Sequence, residues 1–240
     1  MKISVMQPTF LPWAGYIKMI SIVDSFVFLD DVQLSPKSFQ IRNRIPWSNN
    51  EPKWLTVHHE TNQDYRSRFL NNTFLKNAKN DFYSISQLLL NRYKKSEEMN
   101  YLLDNLEFSL QDNKPISEIN ISLIKSICHL LNIKSNFYLS SSINTDKKGS
   151  DKVVELLNSF DCSQYISAPG SISYMQNEEI WSHQNFSISI FNFYLSHYSQ
   201  TNYLNFLPNM SVIDLILELG ANKSQDLLLN SNHVLTPWLK

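Results

Sequence analysis

Two adjacent carboxylates, Asp30 and Asp31, follow directly on the apolar run Phe26-Val27-Phe28-Leu29. At the end of a strand, such a pair can hold a metal, a ribose or an amine, or it can cap the segment that follows. Just downstream lies a polar stretch containing Gln33, Arg42 and Asn43. An arginine beside an asparagine suits a carboxylate or phosphate through charge-assisted hydrogen bonds, although a solvated surface loop has the same composition. Upstream, the segment Gln7 to Tyr16 holds Pro8, Pro12, Gly15 and the aromatics Phe10, Trp13 and Tyr16. That is more than a plain turn needs, so Gln7, Pro8, Trp13, Gly15 and Tyr16 are candidate ligand contacts. Ser167, Gly170, Ser171 and Tyr174 follow another strand-like run, and Tyr198 and Gln200 lie in the polar, aromatic segment His197-Tyr198-Ser199-Gln200. Both groups are candidates to line a site.

The chain has four glycines, and Gly15, Gly149 and Gly170 fall where a strand or loop feeds a helix. Free backbone N–H groups and the helix dipole favour phosphate or carboxylate at such points. Neither a Walker A nor a Gly-x-Gly-x-x-Gly pattern occurs, so the sequence names no cofactor. His58 and His59 would point to opposite faces of a continuing strand. No zinc box or comparable ligand pattern is read around His183, His197 or His233, and no metal site is expected. Cys128 and Cys162 suit neither a zinc site nor a disulfide framework.

These residues need elements to position them. Ile3 to Met6 reads as a strand, Gln7 to Tyr16 as a tight loop, Ile17 to Val23 as a helix and Phe26 to Leu29 as a second strand. This is the opening of a parallel βαβ unit, whose first loop sits at the carboxyl end of the sheet, where ligands bind. Further strands are expected at Lys53 to Val57, Phe137 to Leu139, Gln164 to Ser167 and Phe186 to Phe193. Helices are expected from Ile116 through Leu131, through Val153 to Leu157, and from Val212 to Gly220. The alternation predicts an α/β fold with a parallel, Rossmann-like sheet, in one domain spanning 1–240 with a mostly helical insertion at about 63–113. A hydrophobic fraction of 42% with 18% charged residues is that of a folded globular chain, and the net charge of -1 gives no bulk attraction to DNA or an anionic membrane. No leader precedes the first strand and no apolar run approaches a membrane span, so a cytoplasmic location without membrane insertion is expected.

The ordered motifs resemble the WbqC-like proteins of polysaccharide-biosynthesis gene clusters. That family opens on Gln-Pro-x-Tyr/Phe-Leu-Pro-Trp-x-Gly-Tyr, matched by Gln7 to Tyr16. Asp24, the run Phe26 to Gln33, the element Arg42-Asn43-Arg44 and the strand Trp54 to Val57 follow in the family's order. Ser167 to Tyr174 and Phe206 to Ile216 match its later blocks. His58 stands where the family usually has proline, and Lys152 where arginine is common.

The resemblance implies transfer of an amino acid such as glycine, or another acyl group, onto a nucleotide-linked amino sugar. It also implies a distant likeness to nucleotidyltransferase-like folds with a His-x-Gly-His loop, although Trp13 and Tyr16 stand near where those histidines would be. On this reading the loops at Gly15 and Ser167 to Ser171 cradle a diphosphate, and Trp13, Tyr16 and Tyr174 pack on base or sugar. Asp30 or Asp31 takes the proton of the attacking amine. The partners would be the nucleotide-linked amino sugar and an activated acyl or aminoacyl donor, such as a thioester or an aminoacyl-tRNA. A binding or assembly protein using the same pocket without catalysis is the alternative.

Overall fold

The computed structural model describes all residues except 49–50, 62–63, 144, 202–204 and 239–240. Its main sheet contains β1 (Lys2–Met6), β2 (Ser25–Phe28), β5 (Asn136–Leu139), β6 (Gln164–Ser167), β7 (Ser187–Tyr194) and β8 (Asn232–Pro237). Their order is β5-β2-β1-β6-β7-β8, with every pair parallel except β7 and β8. The expected α/β fold is thus present.

Two crossovers explain the two-sided core. Helix α1 (Ala14–Ser21) joins β1 to β2, and α5 (Gly149–Ser159) joins β5 to β6. Side chains alternate across a strand, so Phe26 and Phe28 enter the cluster containing Ile17 and Ile20 of α1, while Val27 joins Val153, Leu156 and Leu157 of α5. All four residues of β2 are buried, as a central parallel strand covered on both faces must be. Winding reverses between β1 and β6, which puts a crevice outside the carboxyl ends of these strands. The loops that follow β1, β2, β5 and β6 all open on that edge.

A separate antiparallel ribbon pairs β3 (Arg42–Pro46) with β4 (Pro52–Thr56), placing Asn43 opposite Leu55 and Arg44 opposite Trp54. Helices α2 (Ala78–Arg92) and α3 (Glu97–Ser109) lie in the stretch expected to be helical. The start assigned to that stretch, residue 63, lies outside the described residues. Asn77 and Ser96 cap the two helices, accepting N–H bonds at 3.0 and 3.1 Å. Helix α4 (Ile116–Leu130) buries Ile119, Leu123, Ile124, Ile127 and Cys128 in the larger core, and α6 (Ile172–Asn177) follows β6. After α7 (Val212–Leu219), Gly220 takes φ +81° and the chain continues into α8 (Ala221–Asn230) and β8. The sequence pattern did not announce β8, because most of its residues are exposed and lack apolar alternation. Its closing proline fits an edge strand. Among the described residues no helix is long and apolar enough to cross a membrane.

Candidate functional site

The loop after β1 is fastened to the rest of the fold by buried side chains and hydrogen bonds. Phe10 and Leu11 are fully buried, and Leu11 adopts a left-handed φ of +42°. Asn43 donates from Nδ2 to the carbonyls of Phe10 and Leu11 at 3.2 and 2.8 Å. Asn120 donates to the carbonyl of Pro8 at 3.0 Å, and Ser211 to that of Leu11 at 2.7 Å. The Tyr16 hydroxyl donates to the carbonyl of Gln7 at 3.0 Å, while the Gln7 side chain accepts from Gln40. Burial raises the Tyr16 phenol well above its ordinary value, so it remains neutral. The Trp13 indole lies over the Cα of Gly15, filling the space a side chain would take. Asn43 and Pro8 therefore build the loop, and Trp13 and Tyr16 present their rings to a cavity of about 400 Å³ that also meets Met6, Phe39 and Arg44. Arg42 stacks on Trp54 instead, 4.2 Å from the ring centre.

The two aspartates after β2 have separate fates. Asp30 turns inward at 5% exposure, where Oδ1 accepts from the Ser140 hydroxyl and the Ser141 N–H, both at 3.0 Å. Its Oδ2 accepts from the Ser141 hydroxyl at 2.6 Å. Asp30 thereby ties the loop after β2 to the loop after β5. Asp31 accepts from Lys152 Nζ at 2.5 Å and shares the single Ser140 hydroxyl proton with Asp30. It lines a cavity of about 550 Å³ together with Gln33, Arg66, Lys147, Lys148 and Gly149. Gln33 also donates to the carbonyl of Tyr65 at 3.2 Å. We expect Asp30→Asn to cost about 1–2 kcal/mol, because its amide would meet donors it cannot accept from. Chemical denaturation monitored by far-UV circular dichroism checks this, and an unchanged midpoint would remove Asp30 from the loop closure.

After β6, the hydroxyls are satisfied within the protein. Ser167 Oγ lies 2.7 Å from Ser171 Oγ and 3.0 Å from the Tyr165 hydroxyl, and Ser171 Oγ donates to the carbonyl of Ala168 at 2.8 Å. Tyr174, at 39% exposure, is the surface member of this group, and burial raises its phenol. A Cβ on Gly170 would meet nothing within 4 Å.

The segment after β7 reaches a carboxylate on α7. Asp214 Oδ1 accepts from the Tyr93 hydroxyl at 2.7 Å, and Oδ2 accepts from the Tyr198 hydroxyl at 2.5 Å and Gln200 Nε2 at 2.9 Å. Four residues on, Glu218 pairs with buried Arg92 at 2.9 Å. Tyr198 borders a cavity of about 430 Å³ whose other walls include Trp13, Phe193, His197 and Phe206.

A protein-family model described as the WbqC-like protein family matches residues 7–226. The chain belongs to the WbqC-like protein family. An uncharacterized relative, Rv1507c of Mycobacterium tuberculosis (strain ATCC 25618 / H37Rv), is 23% identical over 235 residues, covering 92% of this chain and 94% of its own. No solved structure matches this chain.

In this WbqC-like protein the residues singled out in the sequence fall into separate groups. Asp31 and Gln33 share the cavity beside α5, Trp13, Tyr16 and Asn43 share the cavity beyond β1, and Tyr198 and Trp13 both line a third. Gln200 supports Tyr198 through Asp214. Ser167, Ser171 and Tyr174 cluster beyond β6. Among the described residues no group of three or more His, Cys, Asp or Glu is placed to hold a metal.

Asp214 was not among the expected site residues, although Ser211-Val212-Ile213-Asp214 has the spacing of a capping box. Burial raises its carboxyl above the ordinary 3.8, outweighing hydrogen bonds that lower it. The fold therefore holds this proton more tightly than the unfolded chain does. The resulting stability is fully present below pH 3.8 and is lost as pH rises through the raised folded value. Asp214→Asn should abolish that loss, yet cost about 1–2 kcal/mol overall because its amide opposes phenol and amide donors. Urea unfolding across an acidic pH series checks both; a profile parallel to the wild type would show that Asp214 is not the titrating group.

Proposed function

We propose that this WbqC-like protein is a transferase that forms an amide, placing an amino acid such as glycine, or another acyl group, on the amine of a nucleotide-linked amino sugar for surface-polysaccharide biosynthesis. The observation that supports it is Asp31: a carboxylate beside the crevice edge of the sheet, lining a cavity and fixed by Lys152 at 2.5 Å. A carboxylate in that place can accept the proton an amine loses as it attacks a carbonyl.

The sugar amine attacks the carbonyl carbon of a thioester or aminoacyl ester, forming the C–N bond. Its proton passes to Asp31. The tetrahedral intermediate then breaks its C–S or C–O bond, and the proton returns to the departing thiolate or alkoxide. No protein nucleophile is needed, which suits a chain whose two cysteines are unpaired, with thiols raised by burial to about 12 at Cys128 and about 11 at Cys162. The reading places the activity in the cytoplasm, where unpaired thiols persist.

The test is to incubate the purified protein with dTDP-linked 4-amino sugars and acyl-thioester or aminoacyl-tRNA donors and to measure product mass. The expected result is the mass of the amide. Sugar-nucleotide binding without product from any donor would instead establish a non-catalytic binding protein, a reading favoured by the occupied hydrogen-bonding sites on Asp30 and Asp31.

A further inference from the structure

The anion cradles expected at Gly15 and at Ser167 to Ser171 are occupied by the protein itself, by an indole in the first case and by mutual hydroxyl bonds in the second. Cations gather elsewhere. The cavity of about 550 Å³ beside Asp31 is lined by Arg66, Lys147, Lys148 and Lys152, against the carboxylates Asp31 and Asp146. Asp31 is already neutralised by Lys152, which is 7% exposed. Among the described residues Arg66, Lys147 and Lys148 have no carboxylate within ion-pair distance. A hollow lined by unpaired cations from two segments of the chain favours a multiply charged anion, and its volume suits a small ligand.

Backbone geometry agrees with the charges. Gly149, in the cavity wall, starts α5 at φ +56°, a left-handed conformation that side chains rarely adopt. No side chain caps the first turn of α5.

We infer that the cavity formed by Arg66, Lys147, Lys148 and Lys152 binds the diphosphate of a nucleoside-diphosphate ligand. This rests on the transferase reading and assigns one part of its substrate. Arg66 can offer a forked pair of N–H donors to phosphate oxygens, and the lysines act as mobile point charges. Lys152 bridges the two functions, since it holds Asp31 from within the same cavity. The diphosphate would thereby lie beside the carboxylate proposed to receive the amine proton.

Isothermal titration calorimetry with inorganic pyrophosphate and with dTDP tests the assignment. Lys147 and Lys148 are exposed, so Lys147→Glu/Lys148→Glu should fold normally, and circular dichroism would verify it. The expected result is a loss of affinity of about tenfold or more for both probes. Lys94→Glu/Lys95→Glu carries the same charge change on exposed residues that line none of the three cavities, and it should bind as the wild type does. Equal weakening in both pairs, unchanged binding in the first, or no binding by the wild type would overturn the site. Loss of binding confined to the first pair, in a protein that makes no amide from any donor, would uphold the site and defeat the transferase reading.

Discussion

Asp31→Asn should lower the turnover of amide formation by about 10²–10⁴-fold, the range that a positioned general base contributes. The carboxamide keeps the shape of the side chain and can still accept from Lys152, but it cannot take a proton from the amine. Anion binding should not fall with it. Removing a negative charge from a cavity that also contains Arg66, Lys147 and Lys148 leaves dTDP affinity unchanged or tighter. A variant damaged only in its fold would lose both properties, so lost turnover with retained binding identifies a chemical role. Asp30→Asn provides the comparison: its loss should appear in stability, with turnover per folded molecule much less affected. Wild-type turnover in Asp31→Asn would remove this carboxylate from the mechanism.

The division between these neighbours shows what local sequence carries and what it does not. Two carboxylates after a strand are visible in the sequence; that one turns inward to serines 110 and 111 residues away is not. Asn43 gives the same lesson, since its amide suits an anion by type but is engaged by two loop carbonyls 32 and 33 residues distant. The βαβ opening, the buried β2 and the amphipathic helices were legible because periodicity records which face is covered. The cationic cavity was not. Arg66 is far in sequence from the lysines at 147, 148 and 152, and each alone looks like a solvated charge. The uncovered strand β8 left no apolar pattern to read.

Gly15→Val should destabilise the fold by about 3 kcal/mol, the upper part of the range for overpacking. Glycine is required here for space rather than for conformation, because Gly15 is not among the residues with positive φ. A Cβ at Gly15 would lie 2.1 Å from Trp13 Cη2 and 2.3 Å from Cζ3, closer than any real contact. The indole must therefore move, which breaks its edge-on packing on Phe193, 6.0 Å between ring centres. Trp13 also borders two of the three cavities, so its displacement should change ligand affinity as well as stability. A double-mutant cycle isolates the cause. If the clash with the indole is responsible, Gly15→Val costs far less in a Trp13→Ala background than in the wild type, and denaturant midpoints of the four proteins measure the difference. An equal cost in both backgrounds would show that the indole is not what excludes a side chain at Gly15.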